Sequence, residues 1–325
     1  MSKFKVIFLH QEPWESEMFA AGVGSDCEVV GFPQKSDLLE VGVGHPETAM
    51  VVGGLGVTSL EAADLFPNLQ LIQTLSAGTD TVPKIEMNER GVRVANNMGG
   101  NAVAVAEVTV ALIVSTYRRL MVQWDDTNNK GVYGSGFSSD WARFHELTGK
   151  RVGIVGLGQI GSRVARRLQG WECEVVYSDV VSHSVEYEDA AGAVRVDLEE
   201  LVETSDVISL HVPLDRSTKK LFSDREFGRM KRGAIVINAC RGPVVDEAAL
   251  IRALDDGEIA GAGLDVTEIE PIEISNALMG RDNVVLLPHR AGLSLEAREK
   301  SIDNAVGNAR RLMAGEDPLG IVEPV

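Results

Sequence analysis

Short apolar runs alternate with amphipathic stretches along residues 1–100. Each run is a few residues long and is bounded by polar or glycine positions, which is typical of buried β-strands. A helical pattern over Thr58–Leu65 lies between two of the runs. This alternation predicts an α/β layer fold with a mostly parallel sheet. The strands predicted in this part are Val6–Leu9, Glu28–Phe32, Ala49–Val52, Leu69–Leu75 and Val92–Ala95.

A second strand-rich part follows. It is preceded by a segment from Asn101 to Gln123 without glycine or proline, which predicts one helix that is apolar on most faces and lies between domains or at a subunit interface. A Gly/Ser-rich loop occupies residues 131–140, and a last helix, Leu295–Met313, could return to the first domain. About six strands are predicted between this loop and this helix, a number that would suit a doubly wound dinucleotide fold. These are Val152–Val155, Val175–Tyr177, Asp206–Val212, Ala234–Ala239, Gly261–Val266 and Asn283–Leu287.

Composition narrows the class of protein. A chain of 325 residues fits two domains, and its net charge of −17 disfavours binding to nucleic acid or to an anionic membrane. Three cysteines without C-x-x-C spacing argue against a disulfide framework or a zinc cluster, and six histidines without paired spacing argue against a metal site. Neither a signal peptide nor a membrane span is visible, so we expect a cytoplasmic protein. The acidity would also suit a salt-adapted source.

The most informative motif is GLGQIG at 156–161, directly after a predicted strand and before a predicted helix. Gly156 permits the tight turn, Gly158 lets the backbone approach a pyrophosphate, and Gly161 lets the helix pack closely on the sheet. The N–H groups that open the helix would bind the pyrophosphate. Asp179 ends the next strand, 179 − 161 = 18 residues on, close to the ~20 expected for a ribose-binding carboxylate. The motif therefore predicts a dinucleotide site.

The choice of dinucleotide follows from Asp179. A carboxylate accepts hydrogen bonds from ribose hydroxyls and repels a 2′-phosphate. Residues 180–182 contain no arginine, and His183 is a weak candidate for binding that phosphate. We therefore predict NAD rather than NADP.

Three further residues follow the carboxyl ends of later strands, where α/β sheets place ligands: Arg241, Glu270 and His289. Taken singly, each has an ordinary structural explanation. Together they suit the oxidation of a secondary alcohol, because histidine can take the hydroxyl proton and a carboxylate can orient the imidazole. Arginine can hold a substrate carboxylate bidentately.

With these motifs in place, the chain resembles the D-isomer-specific 2-hydroxyacid dehydrogenase family over almost its whole length. Besides the glycine motif and Asp179, the resemblance is carried by ordered motifs at the family's spacings. They are LSAGTD (75–80), NAVAVAE (101–107), HVPL (211–214), N-x-x-R-G (238–242), GLDV (263–266) with Glu270, and Pro288–His289.

The resemblance implies two doubly wound domains, with a Rossmann NAD-binding domain (102–291) inserted into a flavodoxin-like substrate domain (1–101 plus 292–325), and a cleft that closes over the substrate. It implies His289 as the acid/base, Glu270 as its partner, and Arg241 as the group that binds the substrate carboxylate and oxo group. Backbone N–H groups of Ala77 and Gly78 would bind the same carboxylate. The implied cofactor contacts are Gly156, Gly158, Gln159, Ile160, Gly161, Asp179, Val212, Pro213, Ala239, Asp265 and Gly292. A homodimer formed through the cofactor domains is also implied.

Three positions depart from the family pattern. Val108 stands where many members have histidine, so helix or dimer contacts can differ there. Cys240 replaces a small alanine or serine and is either a packed side chain or an oxidant-sensitive thiol. Arg290 follows the candidate catalytic histidine. It is either a salt-bridge residue or a second positive charge that favours a dianionic or polar oxoacid.

The sequence thus predicts an NAD-dependent oxidoreductase that interconverts an (R)-2-hydroxy acid and a 2-oxo acid, with a glyoxylate- or hydroxypyruvate-like substrate. Neither the physiological acid nor the preferred direction follows from the sequence. An NAD(H)-sensing scaffold or corepressor with the same fold is the alternative from another class. Phosphoglycerate and phosphite dehydrogenases are alternatives within the family.

Overall fold

The computed structural model describes residues 3–53, 63–80, 82–133 and 141–323. The chain forms two compact units: one comprises Met1–Asn101 and Leu293–Val325, and the other comprises Ala102–Gly292. The substrate and cofactor roles of these units stay predictions. Most of the helix predicted at 58–65, and most of the loop at 131–140, lie outside the described residues.

The first unit contains a parallel five-stranded sheet in the order β2-β1-β3-β4-β5, the flavodoxin-like order. Its strands are β1 (Phe4–His10), β2 (Cys27–Pro33), β3 (Met50–Val52), β4 (Leu71–Gln73) and β5 (Arg93–Ala95). Its described helices are α1 (Pro13–Val23), α2 (Leu38–Gly44), α3 (Lys84–Glu89) and, from the C-terminal segment, a helix over Leu295–Met313.

Both faces of this sheet are covered because its strands are apolar on both sides, as expected for a parallel sheet. On one face, Phe8 packs on Phe19 of α1 with ring centroids 5.3 Å apart, and Ile302 of the C-terminal helix joins the same cluster. On the other face, Ile72 packs with Met87 of α3. The first unit is therefore doubly wound, as predicted.

The second unit contains a parallel seven-stranded sheet in the order β12-β11-β10-β9-β6-β7-β8, which extends the Rossmann order by one strand. Its strands are β6 (Arg151–Val155), β7 (Glu174–Ser178), β8 (Val194–Arg195), β9 (Val207–Leu210), β10 (Ile235–Asn238), β11 (Gly261–Leu264) and β12 (Val284–Leu286). Its α-helices are α4 (Ala102–Tyr117), α5 (Leu120–Asn128), α6 (Gly161–Leu168), α7 (Val185–Ala191), α8 (Leu198–Thr204), α9 (Asp224–Phe227) and α10 (Glu247–Asp255). The C-terminal helix, Leu295–Met313, is α11.

Helix α4 packs tightly on this sheet through glycines of β11. A Cβ on Gly263 would lie 2.8 Å from the Thr116 Oγ1, and one on Gly261 would lie 3.2 Å from the Thr116 Cγ2. Leu112 lies against the same strand. The apolar character of the helix is therefore explained by burial against its own sheet.

The single helix predicted over Asn101–Gln123 is wrong. It breaks between α4 and α5, where Arg119 adopts a left-handed conformation with φ +48°. The break coincides with the end of the buried pattern: Tyr117 is buried, whereas α5 contains no buried residue. Without an apolar face on the sheet, nothing holds the second segment to the axis of the first.

The two-residue strand β8 is not among the six strands predicted for this unit. Its residues Val194 and Arg195 are both exposed, so it has no apolar run to reveal it. Strand β8 pairs with β7 at the edge of the sheet, where it carries Arg195 beside the end of β7.

Candidate active site

At two positions of the glycine loop that follows β6, the backbone leaves room only for glycine. Gly156 has φ +93°, and a Cβ there would lie 2.7 Å from the His211 carbonyl oxygen. A Cβ on Gly161 would lie 2.1 Å from the Gly156 carbonyl oxygen. The first glycine thus allows the turn against β9, and the last allows α6 to begin close to that turn.

Gly158 faces the other way. A Cβ there would meet nothing within 4 Å, so the loop opens to solvent at this residue. In the described part of the chain its N–H donates to no acceptor, although its carbonyl accepts the Ser162 N–H at 3.0 Å. An open backbone with a free donor at the start of a helix fits a diphosphate. Gln159 and Ile160 continue this loop into α6.

Asp179 follows β7 and is tied to the glycine loop. Its Oδ2 accepts the Leu157 N–H at 2.7 Å and its Oδ1 accepts the Val181 N–H at 2.8 Å. The side chain is 12% exposed. The His183 Nε2 also lies 3.4 Å from Oδ2. Because a carboxylate oxygen has two lone pairs, Oδ1 can still accept a ribose hydroxyl. The residues present therefore fit NAD at both its diphosphate and its ribose.

Arg195 is a neighbour of Asp179 that the sequence analysis missed. From β8 its guanidinium donates to the Asp179 carbonyl oxygen at 2.9 Å and to the Ser182 Oγ at 2.9 Å. The prediction of NAD over NADP considered only the residues directly after Asp179 as partners for a 2′-phosphate, whereas Arg195 lies on the next strand. Its proximity to Asp179 depends on the pairing of β8 with β7, which no local sequence pattern indicates.

The end of β9 supplies the opposite wall of the glycine loop. A Cβ on Gly156 would lie 3.2 Å from the Val212 Cγ1, and Pro213 follows Val212. His211 makes a 2.8 Å contact from its Nε2 to the Ser209 Oγ, while its Nδ1 is buried without a partner among the described residues. Burial lowers the pKa of His211 to about 4, so the imidazole is neutral near pH 7.

The structure brings Glu270 and His289 together. Strands β11 and β12 are hydrogen-bonded neighbours, so the loops after them meet at one edge of the sheet. The His289 Nδ1 lies 2.6 Å from the Glu270 Oε2, and the Glu270 Oε1 accepts the Thr267 N–H at 3.1 Å. The histidine side chain is 48% exposed and the glutamate side chain 36%. The pair is therefore oriented and still open to solvent.

Arg241 follows β10, the strand next to β11. Its Nη1 donates to the Cys240 carbonyl oxygen at 2.6 Å, and its carbonyl accepts the Asn238 Nδ2 at 2.9 Å. A Cβ on Gly242 would lie 1.7 Å from the Thr267 carbonyl oxygen. The loop that carries Arg241 is thus in direct backbone contact with the loop that carries Glu270.

Asp265 holds the backbone around His289. Its Oδ1 accepts the Arg290 N–H and its Oδ2 the Ala291 N–H, both at 2.9 Å, and its carbonyl accepts the His289 N–H at 2.7 Å. His289 has φ +54°, a left-handed conformation that these bonds stabilise. Burial raises the pKa of Asp265. The nicotinamide contact predicted for Asp265 stays a prediction, beside this second role.

Ala239 and Ala291 share a small buried cluster with Val105, and Ile160 packs against it. This cluster joins the glycine loop to the loops of the candidate catalytic residues. Gly292 follows it as the last residue of the second unit. The predicted cofactor residues of this unit are therefore contiguous.

Ala77 and Gly78 belong to the first unit, after β4. Within the described residues their N–H groups donate to no acceptor, whereas the Gly78 carbonyl accepts the Ser76 Oγ at 2.8 Å and the Ala77 carbonyl accepts the Asn96 Nδ2 at 3.3 Å. Held carbonyls with free N–H groups suit the binding of an anion.

Of the residues that depart from the family pattern, Cys240 is half-buried, and burial raises the pKa of its thiol to about 11. A thiolate at neutral pH is therefore disfavoured, as expected for a packed side chain. The Arg290 side chain is exposed and forms no ion pair within the described residues, so the predicted salt bridge has no partner there. The described residues also contain no group of three or more histidine, cysteine or acidic side chains that could hold a metal, and no helix long and apolar enough to cross a membrane.

Residues 110–291 match the family model described as D-isomer specific 2-hydroxyacid dehydrogenase, NAD binding domain. A glyoxylate reductase of Thermofilum pendens is 38% identical over 262 residues, which span 81% of this chain and 77% of that protein. A D-3-phosphoglycerate dehydrogenase of Archaeoglobus fulgidus is 37% identical over 77% of this chain but only 46% of its own length. The holo form of Rhodotorula graminis D-mandelate dehydrogenase superposes with a TM-score of 0.86 at 27% identity, covering 99% of this chain and 98% of that one.

Proposed function

This chain belongs to the D-isomer specific 2-hydroxyacid dehydrogenase family, and on that premise we propose that it reduces a small 2-oxo acid of the glyoxylate or hydroxypyruvate kind to the 2-hydroxy acid, of (R) configuration where the product is chiral. Family membership makes it an NAD-dependent oxidoreductase, as predicted. The observation that carries the finer proposal is the 2.6 Å contact between the His289 Nδ1 and the Glu270 Oε2, beside the loop of Arg241.

His289 is the proposed acid. An ionised Glu270 accepts a hydrogen bond from the Nδ1–H, which leaves Nε2 as the nitrogen that can face the substrate. The carboxylate also stabilises the imidazolium, so His289 can carry the proton that the carbonyl oxygen of the oxo acid receives from Nε2. Bound NADH supplies the hydride to the carbonyl carbon of the substrate. In the oxidative direction the neutral Nε2 takes the hydroxyl proton.

Arg241 is the proposed anchor for the substrate. Its guanidinium can bind the carboxylate with two parallel hydrogen bonds, and a remaining N–H can polarise the adjacent carbonyl. The N–H groups of Ala77 and Gly78 are the proposed second anchor for that carboxylate. Fixing the carboxylate limits how the adjacent carbonyl can be presented to the hydride. The (R) product is proposed from the D-isomer specificity of the family.

Two alternatives have a specific discriminator. A scaffold or corepressor needs the dinucleotide site but no proton relay, so the His289–Glu270 pair favours an enzyme. A phosphoglycerate dehydrogenase activity is compatible with one relative, whereas the glyoxylate reductase relative covers more of its own length. A phosphite dehydrogenase has no feature in its favour here.

We also propose a cytoplasmic homodimer. All three cysteines are free, which suits a reducing compartment. Helix α5 exposes Leu120, Met121 and Trp124 by 39%, 49% and 57%, an apolar surface that a second copy could cover. Sedimentation of the wild-type chain and of Trp124→Glu would test this, since a dimer should be weakened by the charge.

The activity is tested by NADH oxidation with glyoxylate, hydroxypyruvate, pyruvate, phenylpyruvate and oxaloacetate, and by NAD reduction with 3-phosphoglycerate and with phosphite. We expect the highest kcat/KM for glyoxylate or hydroxypyruvate. Binding of NADH without turnover on any of these compounds would favour the scaffold. Turnover on 3-phosphoglycerate or phosphite alone would favour the corresponding dehydrogenase.

The role of Arg290 is tested in the same assay. If Arg290 selects dianionic acids, Arg290→Ala will lower kcat/KM for oxaloacetate more than for glyoxylate. An unchanged ratio would rule that role out.

A further inference from the structure

Tyr187 contacts the glycine loop from outside the motif. It lies on α7, and its hydroxyl donates to the Leu157 carbonyl oxygen at 3.1 Å, with the Gly158 carbonyl oxygen 3.4 Å away. Neither the glycine fingerprint nor the ribose carboxylate explains this contact, and 187 − 158 = 29 residues separate Tyr187 from Gly158.

These two carbonyls control the donors of the loop. A peptide unit is planar, so the Leu157 carbonyl shares its plane with the Gly158 N–H, and the Gly158 carbonyl shares its plane with the Gln159 N–H. In a trans peptide the C=O and the N–H point in opposite directions. The single hydroxyl proton of Tyr187 holds the Leu157 carbonyl and so keeps the Gly158 N–H pointing to the other side, while the Gly158 carbonyl is held by the Ser162 N–H at 3.0 Å.

The position of Tyr187 is itself fixed through His183. The two rings stack with centroids 4.7 Å apart and an angle of 21° between their planes. The His183 Nε2 lies 3.4 Å from the Asp179 Oδ2, the atom that accepts the Leu157 N–H. Both backbone groups of Leu157 are thus held by side chains of the short segment 179–187.

We propose that Tyr187 is a positioning residue for NAD, which aims the Gly158 N–H group at the pyrophosphate, and that His183 holds Tyr187 in place. This inference rests on the proposed function, because it takes the glycine loop to be the pyrophosphate site. It assigns an energetic role to a residue outside the dinucleotide motif.

The test compares Tyr187→Phe with the wild-type chain. The ring and its stack on His183 remain, and only the hydroxyl is lost. Titrations with NADH by fluorescence, and with ADP and adenosine by calorimetry, separate the parts of the ligand. We expect the Kd for NADH and for ADP to rise about fivefold to tenfold, as for the loss of one net hydrogen bond. The Kd for adenosine, which lacks phosphate, should stay within twofold, as should kcat at saturating NADH.

The matched control is Tyr133→Phe, which removes a hydroxyl from a tyrosine that is 83% exposed. An equal NADH affinity in the two variants would overturn the inference. So would an equal weakening of ADP and adenosine in Tyr187→Phe, because the effect would then not concern the phosphates. A chain that shows the expected ADP loss but reduces no oxo acid would support the inference and contradict the reductase proposal.

Discussion

Two groups of residues share the carboxyl end of one parallel sheet but differ in how they are built. The cofactor group, defined by residues 156–161 with Asp179, is held together by internal hydrogen bonds. The Asp179 side chain is 12% exposed, and both its carboxylate oxygens accept backbone N–H groups. The catalytic group, defined by Arg241, Glu270 and His289, is open, with His289 48% exposed. The proposed ribose contact is thus held by backbone hydrogen bonds, whereas the proposed acid/base pair is exposed to solvent.

The backbone of the catalytic group is nevertheless fixed. Asp265 binds the N–H groups that follow His289, and Gly242 brings the Arg241 loop against Thr267. The exposed side chains therefore project from rigid loops. If this comparison is correct, changes in the two groups will separate chemistry from binding.

The largest effect is expected for His289→Ala. Removal of the proposed proton donor should lower kcat by roughly a hundredfold to ten-thousandfold. The Kd for NADH should stay within twofold, because no atom of the glycine loop or Asp179 is changed. Steady-state kinetics and a fluorescence titration measure the two quantities, and equal losses in both would erase the distinction between the groups.

Gly242→Ala should damage the catalytic group through its backbone. The new Cβ would overlap the Thr267 carbonyl oxygen, so the loops of Arg241 and Glu270 must separate. We expect a loss of roughly 3 kcal/mol in the free energy of unfolding and a lower kcat. Urea denaturation with parallel kinetics measures both.

Gly307→Ala is the matched control for this substitution. Gly307 lies within α11, and a Cβ there meets nothing within 4 Å. The change should stabilise the fold by up to about 1 kcal/mol. Equal behaviour of the two variants would show that the contact at Gly242 is not tight.

His211, whose Nδ1 is buried beside the glycine loop, should make stability depend on pH. Burial lowers its pKa from 6.5 to about 4, so between these values the unfolded chain binds a proton that the folded chain does not. The stability that the neutral His211 gives the folded chain is fully present above about pH 6.5 and is lost as the pH falls towards 4. The free energy of unfolding should fall by at most about 3 kcal/mol over this range. Denaturation of wild type and His211→Gln at pH 7 and pH 4.5 isolates it. Identical pH slopes would contradict the assignment.

A smaller effect than for His289→Ala is expected for cofactor choice. Asp179→Ser removes the charge that repels a 2′-phosphate and leaves Arg195 and His183 beside the vacated position. The ratio of NADPH to NADH affinity should rise by roughly tenfold or more. Adding Arg195→Ala should reverse part of that gain. Calorimetric titration with NADPH and NADH measures this ratio. An unchanged ratio would show that Asp179 does not discriminate between the two dinucleotides.

Features that depend on contiguous residues or on a periodic pattern could be predicted from the sequence. Local patterns predicted the glycine motif, Asp179 and the strand ends that carry Arg241, Glu270 and His289. They could do so because each of these patterns serves one physical role. The contacts of Tyr187 and Arg195 could not be read in this way, since they depend on how α7 and β8 return to the loop. The break at Arg119 was missed because hydrophobicity alone does not reveal where a helix loses its support.

Above all, we propose that this chain reduces a 2-oxo acid and forms a 2-hydroxy acid of one hand. The most direct measurement is the product formed from hydroxypyruvate and NADH, quantified and separated by chiral chromatography. We predict one glycerate per NADH consumed, all of the (R) form. Formation of (S)-glycerate, or no glycerate despite NADH binding, would contradict it.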